Sequence, residues 1–423
     1  MEIEINSDFK EAADLISLTN DCIFVNGNAG CGKTTFLQYY LTIAKKKTVV
    51  LAPTGVAALN AGGQTIHSFF KFKPDISLSK IKKKTLKDNS IYKKVETIII
   101  DEVSMLRCDL LDCIDKFLCL NRGVRSLPFG GVQMVFIGDL KQLPPVVKRE
   151  EADIFRSVYA SPFFLSAKSL NNCMLHTIEL KKNYRQQDEN FINLLNLIRD
   201  GKVSGQDLAL LNSRVLKTLP SLNGGKTVYL AITNAKSDRI NSQYLSKIQE
   251  KSFDFFAQTE NVDANSNVFP AQAHLVLKKG AQVMLLNNDA QDRWVNGSIG
   301  TVDDIRPDID SATMLVYVKF PNGRIESVGQ YKWELFKYKW NERMQQIETE
   351  SAGSFTQYPL KLAWAVTVHK SQGKTFDNII VDMEFGAFAP GQLYVALSRC
   401  TSLEGISLTR PIRMADILKT FSD

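Results

Sequence analysis

The chain has 423 residues, which at about 150 per domain gives a prior of roughly three domains. Hydrophobic residues make up 44% and charged residues 23%, which excludes collagenous, mucin-like and wholly disordered chains. With 52 basic against 45 acidic residues, the net charge of +7 is compatible with a nucleic-acid partner without demonstrating one.

The first third alternates strand and helix. Apolar runs at Cys22-Val25, Thr48-Ala52, Glu96-Ile100 and Gln133-Ile137 read as buried parallel strands, each ending at a polar or glycine-rich turn. Helical patterns lie between them at Thr34 to Ala44 and Val103 to Leu120. This is the pattern of a doubly wound parallel sheet, whose ligands sit beyond the carboxyl ends of the strands. Phe69, Phe70 and Phe72 read as core in preference to base-stacking platforms. A lysine run follows, with Lys80, Lys82, Lys83, Lys84, Lys87, Lys93 and Lys94. By itself it is at least as good a solvated helix face as a phosphate-binding patch.

A second α/β stretch starts near Asn171, with a helix over Asp188 to Arg199 and a strand at Thr227-Ile232. From Ala281 to Ser354 the pattern changes to short β runs, Val283-Leu286, Ile299-Val302 and Thr313-Phe320, with turn signals at Asn296-Gly297 and Asn322-Gly323. This predicts a small inserted β barrel, with Trp294, Trp333 and Trp340 as its core. Strands at Lys361-Val368 and Asn378-Val381 and a helix over Gln392-Ser398 resume the α/β pattern. The seven cysteines, Cys22, Cys31, Cys108, Cys113, Cys119, Cys173 and Cys400, form no Cys-x-x-Cys pair, so neither a disulfide framework nor a zinc site is expected. The acidic start Met1-Glu2-Ile3-Glu4 has neither signal-peptide nor presequence character, and no stretch of about 18 apolar residues is free of charge. The expectation is a soluble protein of bacterial or phage-like cytoplasm.

Three segments carry chemistry. Gly27-Asn28-Ala29-Gly30-Cys31-Gly32-Lys33-Thr34 follows a strand and opens a helix, the context of a phosphate-binding loop. Its glycines let backbone N–H groups curl around phosphate oxygens, Lys33 reaches the β and γ phosphates, and Thr34 offers a hydroxyl to Mg²⁺. Gly27, Ala29, Gly30, Cys31, Gly32, Lys33, Thr34 and Thr35 are the expected nucleotide contacts. Gly373-Lys374-Thr375 imitates the end of this motif, but the position five residues upstream of Gly373 is Val368, so no second loop is expected. Ile98-Ile99-Ile100-Asp101-Glu102 sets two carboxylates at a strand tip, Asp101 for Mg²⁺ and Glu102 as general base, with helix capping as the competing reading. Gly138-Asp139-Leu140-Lys141-Gln142-Leu143-Pro144-Pro145 ends the next strand; Gln142 is placed to sense the γ-phosphate, although alone the segment is a plain turn.

The order of these segments, together with Ala52-Pro53-Thr54-Gly55-Val56-Ala57-Ala58, Thr65-Ile66-His67-Ser68-Phe69, Asp101-Glu102-Val103-Ser104-Met105, Pro128-Phe129-Gly130-Gly131-Val132-Gln133, Asn183-Tyr184-Arg185-Gln186, Thr367-Val368-His369-Lys370-Ser371-Gln372-Gly373 and Tyr394-Val395-Ala396-Leu397-Ser398-Arg399, closely resembles the Pif-type DNA helicases, in the RecD-like branch of superfamily one. The resemblance implies an α/β fold with two RecA-like parallel-sheet domains and the nucleotide between them. Its domain plan is a first domain over 1–170 with a wedge-like insertion at 68–95, a second over 171–280 and 355–423, and an SH3-like insertion over 281–354. It implies ATP and Mg²⁺ as cofactors, Gly373 as a further nucleotide contact, and Arg185 and Arg399 as arginine fingers. Alone, those arginines read as a surface ion pair and a helix C-terminal contact. Pro53, Thr54, Gly55, His67, His369, Ser371 and Gln372 match positions that contact single-stranded DNA, although buried histidines are commoner in general.

The implied activity is 5′-to-3′ unwinding of duplexes and forks and of folded DNA such as G-quadruplexes, with roles in repair, recombination and telomere maintenance. A monomer in solution, with a dimer on DNA as the alternative, completes the expectation. In one departure, Phe9 stands where the family often has an adenine-reading glutamine. Residue chemistry alone supports a Mg²⁺-dependent nucleoside triphosphatase, leaving a nucleotide-switched DNA binder and an RNA helicase as competing readings.

Overall fold

The computed structural model describes residues 5–73, 76–84, 90–147, 151–218, 222, 227–264, 268–308 and 313–418. They divide into two compact units: one reaching to Tyr184 and including Leu335–Ala352, the other comprising Arg185–Glu334 and the chain from Gly353 onward.

In the first unit, helix α1 (Ser7–Leu18) leads into β1 (Cys22–Gly27), α2 (Lys33–Ile43), β2 (Thr48–Ala52), α3 (Gly55–Asn60), β3 (Gln64–Thr65), α4 (Ile66–Phe70), α5 (Ser90–Lys94), β4 (Thr97–Ile100), α6 (Cys108–Arg122), β5 (Gln133–Gly138), α7 (Ala152–Val158) and β6 (Leu175–Leu180). The six strands form one parallel sheet in the order β3-β2-β4-β5-β1-β6. β4 and β5 are buried at every position, as strands covered on both faces must be, which is why they read as continuous apolar runs. Asn6 caps α1 by accepting from Phe9 N, and the helix buries Phe9, Ala12, Ala13 and Ile16, the i, i+3, i+4, i+7 stripe of an amphipathic helix.

Three features depart from the sequence reading. Leu175–Leu180, within the stretch assigned to the second domain, pairs in parallel with β1 along its whole length. The helix expected from Val103 to Leu120 is broken: Val103–Met105 is a single 3₁₀ turn and α6 begins at Cys108. Arg107 is drawn into an extended bridge with Phe163, and Cys108 N donates to Pro162 O, so backbone pairing overrides the helical pattern. Trp340, expected in a barrel core, instead lies 4% exposed in the core of the first unit. Its ring is faced by the ammonium groups of Lys47 and Lys94. Nearby, Tyr338 Oη accepts from Val50 N at 3.0 Å, and Tyr338 N donates to Gln64 Oε1 at 3.3 Å. Phe69, Phe70 and Phe72 are core, packed edge-on or stacked around Tyr92 and Phe117. Lys87 lies outside the described residues; Lys93 and Lys94 end α5.

The second unit holds α8 (Glu189–Asp200), α9 (Gly205–Asn212), β7 (Val228–Ala231), α10 (Asn234–Lys247), β8 (Ser252–Phe256), β9 (Gln258–Glu260), β10 (His274–Lys278), β11 (Gln282–Leu285), β12 (Ile299–Pro307), β13 (Met314–Lys319), β14 (Ile325–Val328), the hairpin strands β15 (Tyr331–Asn341) and β16 (Gln346–Gln357) in part, then β17 (Leu360–Leu362), β18 (Ala365–Thr367), β19 (Ile379–Asp382), α11 (Gln392–Leu397) and β20 (Ile406–Leu408). Strands β18-β7-β19-β20 form a parallel sheet, while β14-β13-β12-β11-β17 form an antiparallel one with a bulge between Val302 and Asp304. One core joins them: Trp294, Val302 and Val316 from one side meet Tyr229, Trp364 and Ile380 from the other. The strand expected over Lys361-Val368 is two strands in two sheets, with the buried Ala363 and Trp364 as the crossing point. Trp333 packs against Tyr331 and Phe355.

Candidate functional site

The loop from Gly27 to Gly32 is built by close approach. A Cβ on Gly27 would meet Cys31 Sγ at 2.3 Å, and Gly30 and Gly32 adopt φ of 88° and 82°, where glycine is the tolerated residue. Helix α2 opens at Lys33 with no side chain capping it, so its N-terminus presents uncapped amides and the positive end of its dipole. The Lys33 ammonium folds back to donate to Gly27 O at 2.7 Å and Asn28 O at 2.9 Å. Thr34 is exposed and Cys31 is buried; burial pushes the Cys31 thiol up.

Asp101 follows β4 and is 8% exposed. Burial first, then the neighbouring Glu102 carboxylate, push its carboxyl up to about 7, while Glu102 N–H and Lys33 pull the other way. Glu102 adopts φ 51°, turning the chain out of the strand. Asp139, 1% exposed, follows β5. Its carboxylate accepts from Lys141 N at 3.0 Å and from Gln142 Nε2 at 3.3 Å. The first unit thus brings Lys33, Asp101, Glu102, Asp139 and Gln142 to the carboxyl ends of β1, β4 and β5. A buried carboxylate and an exposed threonine hydroxyl are hard oxygen donors that suit Mg²⁺. Among the described residues no three His, Cys, Asp or Glu side chains form a metal-binding group.

Two residues without an expected role stand beside the loop. Tyr184 N donates to Gly30 O at 2.8 Å, and its ring lies 3.4 Å from the Cβ position of Gly32. Asp139 sits in a motif whose role had been given to Gln142 alone; its signal was its place at the strand end. Phe9 is 1% exposed and packs edge-on against Phe36, so it offers a nucleobase no hydrogen bond.

Also in the first unit, Thr54 caps α3 by accepting from Ala57 N, and Thr65 caps α4 by accepting from Ser68 N. Pro53, Thr54 and Gly55 and the His67 imidazole are half-buried at these helix starts. Burial lowers the His67 pKa, favouring the neutral ring.

The second unit gathers the other candidates after β18 and α11. Arg399 is 1% exposed; its Nε donates to Val395 O at 2.9 Å and its Nη2 to Ser398 Oγ at 2.9 Å. Arg185 Nη1 donates to Ser398 O at 3.1 Å, and Gln186 Nε2 to Ser398 O at 3.1 Å and Cys400 O at 2.9 Å. His369 is half-buried with its pKa lowered by burial. Ser371 is fully buried, its hydroxyl donating to Val368 O at 2.7 Å across the turn. Gly373 adopts φ 75°, and no helix follows Lys374 before β19, so this segment lacks the strand-loop-helix geometry of a phosphate loop. Lys374 Nζ donates to Asn296 Oδ1 at 2.5 Å.

The sequence matches the PIF1-like helicase family over residues 4–208. It is 32% identical over 418 residues to the ATP-dependent DNA helicase Pif1 of Bdellovibrio bacteriovorus, covering 96% of this chain and 88% of that protein. The fold superposes on the crystal structure of Bacteroides sp Pif1 in complex with ADP-AlF4 with a TM-score of 0.91 and 36% identity, covering 100% of this chain and 96% of the other. Against Bacteroides Pif1 in complex with ADP-AlF3 and ssDNA the TM-score is 0.69 at 37% identity, with 99% and 95% covered. The two parallel sheets are therefore RecA-like, and the chain belongs to the PIF1-like helicase family.

Proposed function

We propose that this protein is an ATP-dependent DNA helicase that moves 5′ to 3′ along single-stranded DNA and separates duplexes and forks, with G-quadruplexes as further substrates. The observation that carries the reading is the first-unit site: an uncapped phosphate loop with Lys33 latched across it, joined to buried Asp101, Asp139 and Gln142. It occurs in a chain that matches, nearly end to end, helicases solved with nucleotide analogues and single-stranded DNA.

Nucleotide phosphates would take the Lys33 ammonium from Gly27 O and Asn28 O. Thr34 and Asp101 would hold Mg²⁺, which when bound neutralises phosphate charge. Glu102 polarises the attacking water, Gln142 senses the γ-phosphate, and Arg185 and Arg399 stabilise charge in the transition state. Gly373 is a further nucleotide contact. Pro53, Thr54, Gly55, His67, His369, Ser371 and Gln372 contact the strand. Neutral imidazoles and small polar groups suit contact without sequence selection. The segment 68–95 serves as a wedge, and the antiparallel sheet of the second unit as the SH3-like insertion. We place the protein in bacterial or phage-like cytoplasm, acting as a monomer or as a dimer on DNA; no described helix is long and apolar enough to cross a membrane.

The test is unwinding of one duplex carrying either a 5′ or a 3′ single-stranded tail, with Lys33→Ala as control. The expected result is ATP-driven unwinding from the 5′ tail alone, abolished by Lys33→Ala. DNA-stimulated hydrolysis without unwinding from either tail would instead indicate a nucleotide-switched DNA binder.

A further inference from the structure

Beyond β19 the chain forms a loop, residues 383–391, that puts its apolar side chains in water. Phe385 is 96% exposed and Phe388 is 61% exposed. A lone exposed apolar residue is ordinary; two exposed phenylalanines three positions apart on one loop call for an explanation. The Phe388 ring lies nearly parallel to the His369 imidazole, with centroids 6.5 Å apart and an interplanar angle of 14°.

The exposure is held in place by the surrounding structure. Arg410 Nε donates to Glu384 O at 2.7 Å and Arg413 Nη2 donates to Phe385 O at 3.0 Å. Both arginines are anchored on Asp416, itself 1% exposed: Arg410 grips its two oxygens at 2.8 Å each, and Arg413 N donates to it at 2.8 Å. Gly386, at φ 140°, passes so near that a Cβ would stand 3.1 Å from Asp416 Oδ1. At the far end Phe388 N donates to Oε1 of the fully buried Gln392 at 3.1 Å. A loop tied at both carbonyls before its tip and at the amide after it holds the rings out without a large ordering cost when something covers them.

We propose that Phe385 and Phe388, with His369, form a stacking platform on the second unit for unpaired bases of single-stranded DNA. This rests on the reading of the protein as a helicase that moves on single strands. The chemistry of the patch favours bases over an apolar protein surface. Cations stand at its edges: Lys370 follows His369 in the chain and is exposed, and the Arg413 guanidinium donates to Phe385 O, charges that suit the phosphates joining stacked bases. Every base offers a π face, so the platform serves movement along any sequence.

The experiment measures binding of an oligothymidine and of an abasic strand of equal length to the wild type, Phe385→Ala, Phe388→Ala and Phe388→Trp. Stacking contributes about 1–3 kcal/mol per base, so each alanine variant is expected to lose about 5- to 100-fold in affinity for the oligothymidine. The abasic strand should bind all four proteins alike, and Phe388→Trp should retain wild-type affinity. Phe385 is nearly fully exposed, so its alanine variant keeps the wild-type melting temperature and carries the test even where Phe388→Ala does not. Equal oligothymidine affinity in wild type and both alanine variants overturns the platform and leaves the helicase reading standing. A wild type with no affinity for single strands overturns both. Unchanged DNA affinity together with lost self-association in sedimentation assigns the patch to a second copy of the chain, and also overturns the proposal.

Discussion

Phe9 and Lys374 show how single side chains set chemistry that their motifs do not. The Phe9 ring is buried against Phe36 beside the phosphate loop, and a hydrocarbon there cannot distinguish the amino group of adenine from the carbonyl of guanine. Discrimination that relies on hydrogen bonding to the base is large only where the site supplies the partner. We therefore expect kcat/KM for GTP within about tenfold of that for ATP; a preference for ATP of several hundredfold would show that other groups read the base. Lys374 is desolvated, which lowers its pKa to about 8. Because the folded value lies below the ordinary 10.5, the folded state binds fewer protons than the unfolded state between these values. Stability from this group therefore increases as pH rises from 8 towards 10.5 and is lost as pH falls through 8. Lys374→Met should raise the urea midpoint at pH 7 and change it little at pH 10. A midpoint lowered at both values would mean that the bond to Asn296 outweighs desolvation.

At the scale of elements, the hairpin of β15 and β16 is the feature least visible in the sequence. β3 pairs with β2 only at Leu51 and Ala52, so the Val50 amide lies beyond its reach and Tyr338 Oη accepts from it instead. Tyr338→Phe removes that acceptor and should cost about 1–3 kcal/mol, the price of leaving a buried donor unmet. Urea unfolding of the first unit's transition would show it, and an unchanged midpoint would mean that water replaces the hydroxyl. The sequence reading placed Trp340 in a barrel core because an aromatic among short strands is normally covered by those strands. Two strands of 11 and 12 residues are too long for so small a sheet, and their outer halves bury Trp340 in the first unit's core with Tyr338 packed against it. The helix at Val103 failed for the opposite reason: its periodicity was sound, but pairing of Arg107 with Phe163 extended the backbone there.

At the scale of the molecule, the proposed reaction needs residues from both units, and the arginines test that need. Arg185 Nη1 donates to a carbonyl, Ser398 O, within its own unit. If it acts on the γ-phosphate, Arg185→Ala should lower kcat by about 10³-fold while nucleotide affinity changes little, because a finger acts chiefly in the transition state. Equal losses in turnover and in binding would assign it an ordinary binding role. Arg399, buried with bonds to Val395 and Ser398, also supports the fold, so its loss would confound stability with catalysis.

The sequence by itself determined the parallel sheets, the phosphate loop, the carboxylates at the strand tips and the family, because each is encoded within a short segment: apolar runs, glycines at forced turns, and charges at strand ends. Tertiary structure alone decided what depends on distant partners. It brought β6 alongside β1 and divided Lys361-Val368 between two sheets. It turned Ser371 inward, and it held Phe385 outward through arginines about 25 to 28 positions away in the chain. Such features follow from which backbone donors and acceptors remain unpaired once the sheets have formed, and no local window of sequence contains that information.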